Sequence, residues 1–470
     1  MRIFFFFLAA SWLANAAMAR EVDYDRLDRD ALRTLVDLIK LDTSQPAGNE
    51  ILAARYLASR LDEAGIESKI YEAAPGRASI VARVRGNGAA KPLLLLGHTD
   101  VVTVERANWS FEPFEGAVSD GKIFGRGASD DKSIVAGSLE VLLALKRLGI
   151  PLARDVIFLG VADEEAGGTL GITWMVNNHL DDIRAELAIN EGGRGYIDPE
   201  TGRYSSFQIG TAEKTPRRAR LVVKGHAGHG SVPTRDNAIG VLAGAVDRLY
   251  RQPLPMALNE TTRTLFKRLA ETSPPEQAAV FRAILEPNPG DDVQERLRDI
   301  NPSYYSIIRT SVVPTIFNAG YQRNVIPSEA EATLDIRALP GVDPEDLWEQ
   351  IRGIINDPRV EVIPMKVTRP AHDPAPLSSP LFRAFEEVIA RRHPGAVVLP
   401  TMLTGATDSA QLRAAGVAAY GFGPGVVQGE DNGVHGNDEY LRVDAYEEYV
   451  RILWDVVTRV AGTDQVNAAR

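Results

Sequence analysis

Leu93-Leu94-Leu95-Leu96-Gly97-His98-Thr99-Asp100 sets four leucines directly before a histidine and an aspartate. A short apolar run of this length reads as a strand buried on both faces, the pattern of parallel sheets. Val156 to Val161 and Leu187 to Ile189 repeat it, and they run into Asp163-Glu164-Glu165 and Glu191. Ligands of α/β sheets collect at strand carboxyl ends. Imidazoles and carboxylates converging there can hold a pair of divalent metals, which points to a metal-dependent hydrolase. Taken alone, His98 and Asp100 read equally well as an incidental histidine beside a helix-capping aspartate.

Further motifs follow the same logic. Gly125-Arg126-Gly127-Ala128-Ser129-Asp130-Asp131-Lys132-Ser133 is glycine-rich and enters a helix, but it lacks the GxxxxGK[ST] spacing of a phosphate cradle. Its paired aspartates read either as helix caps or as ligands. Three consecutive carboxylates at 163–165 repel one another unless cations are near. Adjacent glutamates can face different ways, one toward a metal and one toward a water, which suits a ligand beside a general base. Glu191 precedes Gly192-Gly193, and His435 sits in a polar loop before the final helix. Gly225-His226-Ala227-Gly228-His229-Gly230-Ser231-Val232-Pro233 places histidines among small residues, either for close approach by another surface or as a flexible turn. His179, His372 and His393 lack such contexts and read as structural.

The chain has 470 residues, a net charge of −11 and no cysteine. Disulfides, thiolate catalysis and thiolate metal sites are therefore excluded. A metal would be held by imidazole and carboxylate, a donor set that suits zinc. No basic stripe extends beyond Arg217-Arg218 and Arg391-Arg392, so no nucleic-acid partner is expected. Arg2, the apolar Ile3 to Ala10 and the small-x-small Ala17-Met18-Ala19 read as a cleaved signal peptide over residues 1–19. A membrane anchor needs about 20 apolar residues, more than this core offers. Export to the periplasm or the medium is expected, with no membrane span.

Helices are expected at Asp23 to Leu41, Asn49 to Ala64 and Ser133 to Arg147, alternating with strands at Ser68 to Tyr71, Ser79 to Arg85, Leu93 to Gly97, Asp155 to Ala162 and Leu187 to Asn190. This alternation argues for a layered α/β domain. Near Lys214 the pattern changes to a βαββαβ order ending at Val360 to Thr368, which implies a small ferredoxin-like α+β domain. Residues 252–302 read as a polar, helical insertion that elaborates the surface. After Leu381 the α/β pattern resumes with a helix, strands at Ala396 to Leu399 and Val417 to Gly421, and a final helix from Asp444. The expected organisation is a catalytic domain over 20–213 and 372–470, interrupted by an inserted domain over 214–371.

In their order, these motifs resemble the co-catalytic di-zinc amidohydrolase family of aminoacylases, glutamate carboxypeptidase, dipeptidases and succinyl-diaminopimelate desuccinylase, and in particular its carboxypeptidase S and N-fatty-acyl-amino-acid hydrolase branch. The resemblance covers nearly the whole chain after residue 19. It implies a mixed-sheet zinc-peptidase domain with helices on both faces and a ferredoxin-like lid that also serves a homodimer. It implies two zinc ions per subunit, replaceable by cobalt or manganese. His98 and Glu191 would hold one metal, Glu165 and His435 the other, with Asp130 bridging and a cis peptide after it. Asp100 would orient His98, Glu164 would be the general base and His229 would stabilise the oxyanion. Asn324, Arg337 and the loop at Gly405 would meet the substrate, a peptide or N-acyl amino acid with a free C-terminal carboxylate. Asn190 and Ser133 depart from the family's usual Asp and Gly without removing a ligand. A dedicated deacylase or dipeptidase is the alternative within enzymes. A non-catalytic interaction protein on this fold would be marked by loss of Glu164 or of a ligand, and none is lost.

Overall fold

The computed structural model describes residues 21–468, so the expected signal segment lies outside the described residues. Its larger sheet has eight strands in the order 68–74, 77–84, 156–161, 93–98, 187–197, 418–427, 204–213 and 397–403. The central strands 156–161, 93–98 and 187–197 run parallel, and 77–84 joins antiparallel, so the sheet is mixed. Successive side chains of a strand face opposite ways, and both faces of Leu93–His98 are covered. Leu93 and Leu95 pack in a cluster with Leu35, Leu38, Leu139, Leu142 and Trp454 from helices on one face. Leu94 and Leu96 pack with Ile172, Met175 and Leu412 on the other. A leucine run, rather than an alternating pattern, is what a strand buried on both sides needs.

Two elements escaped the pattern reading. Strand Tyr204–Glu213 is polar at its start and has no apolar run, yet it pairs with 397–403. Strand Leu187–Ile197 continues past the expected Asn190 because it changes partner. It runs parallel to 418–427 and then pairs antiparallel with 204–213. At the crossing the backbones nearly touch. A Cβ on Gly193 would lie 2.3 Å from the Gly421 carbonyl oxygen and 2.4 Å from that of Gln208. This is why Gly192-Gly193 follows Glu191.

The second sheet has the order 311–319, 329–338, 219–224 and 360–364, antiparallel throughout. Helices Ala238–Arg251 and Pro344–Ile355 pack their Leu242, Ala245, Leu249, Leu347 and Ile351 onto Leu221, Val223, Leu334 and Ile336. This connectivity and strand order make the unit ferredoxin-like. The chain passes between the sheets at Lys214: Glu213 ends a strand of the first, and Thr215–Pro216 pairs with Ala338 and Arg337 of the second.

The segment read as a surface elaboration is corrected by its packing. It forms helices Glu260–Thr272, Pro275–Ala283, Asp291–Ile300 and Pro302–Ile307. Phe266, Phe281, Leu265 and Leu297 build a separate core with Leu399, Met402 and Ala212 of the larger sheet. Arg268 donates to the Val398 carbonyl at 2.6 Å. The segment looked polar because each helix carries a single narrow apolar stripe. No helix among the described residues is long and apolar enough to cross a membrane.

Gly193→Ala is expected to cost about 2 kcal/mol or more, because backbone rather than a movable side chain opposes the added methyl. Chemical denaturation should show the loss. An unchanged midpoint would mean that the strand crossing is looser than described.

Candidate metal centre

His98 closes its strand with the side chain buried. Its Nε2 lies 3.0 Å from Asp130 Oδ1 and 3.9 Å from Glu191 Oε1. His435 Nε2 lies 3.1 Å from Asp130 Oδ2 and 3.2 Å from Glu165 Oε1. The five residues thus form two three-residue groups, each able to hold a metal ion, with Asp130 in both. The peptide bond after Asp130 is cis. Asp131 takes the N-cap position of helix Lys132–Leu148, but its side chain does not cap the helix: its Oδ2 accepts the backbone N–H of His98 at 3.0 Å.

Each loop that carries a ligand is anchored from behind. Asp100 and its neighbours hold the acidic turn. The Asp100 carboxylate accepts the N–H groups of Glu164 at 3.0 Å and Glu165 at 3.1 Å, and the side chain of Gln45 at 2.8 Å. His98 Nδ1 lies 2.9 Å from the Asp100 carbonyl oxygen and 3.6 Å from its carboxylate. The structure therefore sharpens the expectation for Asp100: its backbone is nearest the imidazole, and its carboxylate shapes the turn at 163–165. Asp163 adopts φ 69°, a left-handed conformation that aspartate tolerates better than most residues. Its carboxylate turns away to Arg77, 2.8 Å distant, which also binds buried Glu50.

The three adjacent carboxylates thus find three different partners: Arg77 for Asp163, Arg369 for Glu164 and His435 for Glu165. Arg369 lies 2.5 Å from Glu164 Oε1 and 2.7 Å from Asp408 Oδ1. Burial, then the charge of Asp408, raises Glu164 well above the ordinary glutamate range, and Arg369 opposes the shift. Burial and the charge of Glu164 likewise raise Glu191. Hydrogen bonds to Asp130 and Glu165 push His435 up to about 10. His98 is raised well above its ordinary value against burial, by Asp100 and Asp130. Imidazoles this basic beside buried carboxylates form a nitrogen and oxygen donor set that wants positive charge. The residues present therefore fit a pair of divalent ions.

A cavity of about 180 Å³ adjoins the ligands and is lined by Asp130, Glu191, Arg194, Leu403, Gly405 and Val434, among others. Gly405 therefore lines the cavity beside the candidate ligands. His229, Asn324 and Arg337 do not line it. His229 forms a short ribbon with Val325, and its Nδ1 accepts from the Ser231 hydroxyl at 2.7 Å. Asn324 accepts the N–H of Gly230 at 2.8 Å and so neighbours His229. Arg337 is paired with Asp335 at 3.0 Å on the second sheet. All three belong to the smaller unit, with Arg337 at the far end of strand Glu329–Ala338 from the ribbon that carries His229. His179 stacks against Tyr71, His393 bonds Glu448 and His372 is buried near Glu213.

Four residues of the site were missed as functional candidates. Arg369 and Arg194 carry no motif. Glu439 is fully buried and accepts from Arg126 at 2.7 Å and from the N–H groups of Gly127, Ser129 and Asp130 at 2.8–3.0 Å. Asp408 receives Arg369 at the end of the Gly405 loop. Two had a signal: Asp408 ends the loop at Gly405 that the resemblance singles out, and Glu439 is an acid four residues after a candidate ligand histidine.

Comparison with known proteins places this geometry. Residues 94–459 match the model of peptidase family M20/M25/M40. The probable carboxypeptidase S-like 2 of Dictyostelium discoideum is 33% identical over 377 residues, covering 78% of this chain and 71% of that protein. The N-fatty-acyl-amino acid synthase/hydrolase PM20D1 of Homo sapiens is 32% identical over 386 residues, covering 80% and 75%. The crystal structure of Sso-CP2, an M20 family metallo-carboxypeptidase from Sulfolobus solfataricus, shares the fold with a TM-score of 0.67 at 20% identity, covering 92% of this chain and 99% of that one. The chain belongs to peptidase family M20/M25/M40, and is a metal-dependent hydrolase of amide bonds.

Proposed function

We propose that the chain is an exported di-zinc hydrolase that cleaves the amide bond of peptides or N-acyl amino acids bearing a free C-terminal carboxylate. One observation carries this reading: two ligand groups share Asp130, and Glu164 is held beside them, next in sequence to the ligand Glu165. His98, Asp130 and Glu191 would hold one ion; Asp130, Glu165 and His435 the other. Bound there, the ions supply Lewis acidity toward the amide carbonyl and acidify a water. Zinc suits the donors, and cobalt or manganese can replace it.

Glu164 takes the proton of the attacking water on its carboxylate and delivers it to the departing amide nitrogen. Its burial raises its pKa, which makes the carboxylate a stronger base than an ordinary glutamate. Arg369 keeps the carboxylate oriented by holding Oε1. Asp100 fixes the backbone of the same turn, so base and ligand move as one unit.

The substrate carboxylate is read from Arg194, which lines the cavity and forms no ion pair among the described residues. His229, Asn324 and Arg337 would join it when the smaller unit closes over the cavity, or from a partner subunit. His229 would then hold the developing oxyanion. Ile316 and Phe317 are exposed on edge strand Ser311–Ala319 and support a homodimer through that unit.

The narrower reading is a dedicated N-acyl-amino-acid deacylase. It is supported by the likeness to a relative named for N-fatty-acyl-amino acids and by apolar Leu403, Ile134 and Val434 along the cavity, which suit an acyl chain. Release of free fatty acid, rather than of amino acids alone, distinguishes it.

Glu164→Gln is expected to retain the metal content of the unaltered protein by elemental analysis, while kcat falls about 10²–10⁴-fold. Activity near normal would remove Glu164 as the base. With zinc or cobalt added, mass spectrometry of a pool of peptides, N-acyl amino acids and their C-terminal amides should show the carboxylate-bearing members consumed and the amides spared. Arg194→Met should raise KM for the carboxylates about tenfold or more, the scale of a lost charged hydrogen bond. Equal consumption of the amides would sink the carboxylate requirement.

A further inference from the structure

A second cavity, of about 630 Å³, is larger than the one at the metal ligands and plays no part in the proposed hydrolysis. It opens between the end of helix Ala238–Arg251, the inserted helices Asp291–Ile300 and Pro302–Ile307, and strand Ser311–Ala319. Leu249, Leu254, Val312, Pro314 and Ile354 give it apolar walls. Its volume falls within the range of small-molecule sites, which combine apolar walls with a few placed polar groups.

Its charged lining is Arg251, Arg298, Arg309 and a single carboxylate, Glu295. Arg309 and Arg298 both stack on Tyr305, their guanidinium carbons 3.9 and 3.8 Å from the ring centroid. Arg298 is neutralised by Glu295 at 2.8 Å. Arg309 is 4% exposed, donates one hydrogen bond to the neutral Gln294 and forms no ion pair among the described residues; the charges of Glu295 and Asp291 reach it only from beyond ion-pair distance. Its Nε has no hydrogen-bond partner. Behind the lining, buried Lys214 donates to Ser306 and Ser311, both of which face the cavity.

A guanidinium cannot shed its proton, and a buried charge without a counter-charge is strongly unfavourable. The chain has 63 acidic residues against 52 basic, so carboxylates are in ample supply. Two buried or half-buried guanidiniums share one cavity carboxylate, and Arg309 has no direct partner, so the cavity has a place for an anion from outside the chain, and its apolar walls state what that anion carries.

We propose that this cavity binds a fatty carboxylate, the head group pairing with Arg309 and the chain lying along Leu249, Leu254, Val312 and Ile354, at a site separate from the metal centre. The test is calorimetric titration of the full chain with dodecanoate below its micelle concentration, before and after removal of metal by a chelator. One molecule per chain should bind in both states. Dodecanol and acetate, each carrying half of the chemistry, should bind about tenfold more weakly or less. Arg309→Met should weaken dodecanoate about tenfold or more, and Arg298→Met severalfold, because it leaves Glu295 without its direct partner and facing the same head group. No binding, binding lost with the metal, or affinity unchanged in Arg309→Met would each overturn the proposal. If Arg309→Met fails to fold by circular dichroism, unchanged affinity in Arg298→Met overturns it.

Discussion

The buried carboxylate of Glu439 is the constraint on which the site rests. It has no exposure to water, and taking a carboxylate out of water costs several kcal/mol unless its lone pairs are satisfied. Arg126 and three backbone N–H groups satisfy them. Those three N–H groups belong to Gly127, Ser129 and Asp130, while Glu439 lies four residues beyond His435. One buried acid therefore sets the distance between the loop that supplies the shared ligand and the loop that supplies the second imidazole. Asp100 does the same for the turn at 163–165. The candidate ligands lie on loops and on strands, and their geometry is set by buried acids behind them.

Much of the fold was legible because its central strands are buried on both faces. A run such as Leu93 to Leu96 can only sit between two layers, and its end then places His98. The ferredoxin-like unit was legible in its alternating strands and amphipathic helices. Strand Tyr204–Glu213 was not, because a strand that follows a hairpin beside a helix-covered edge needs little hydrophobicity of its own. Leu187–Ile197 was shortened in the reading because its change of partner depends on Gly193 meeting Gly421, a contact between distant segments that no local pattern records.

The site divides along the same line. Candidate ligands that follow an apolar run, such as His98 and Glu191, announce themselves by position, although Glu191 lies inside strand Leu187–Ile197 and not at its end. Arg369 does not. It comes from the segment returning from the smaller sheet, and only the fold brings its guanidinium between Glu164 and Asp408. Arg194 sits on an interior strand, and nothing local shows that its side of the strand faces a cavity. Arg337, which the sequence motif favours, is paired with Asp335 on the other sheet. Motifs disclose the metal-binding chemistry, whereas the charges around it are tertiary properties.

The helices of residues 260–307 have a consequence beyond packing. Strand Val397–Leu403 ends the order of the larger sheet, and its Val398, Leu399 and Met402 are buried. A bare edge of that kind offers unpaired backbone groups and apolar side chains to any passing strand, and invites aggregation. Here the insertion covers the side chains, and Arg268 occupies the Val398 carbonyl. In a chain with no disulfide to restrain a partly opened sheet, this helical cover guards solubility as much as it adds stability. Shortening the insertion to the length of a simple loop would leave a folded catalytic sheet with an adhesive border.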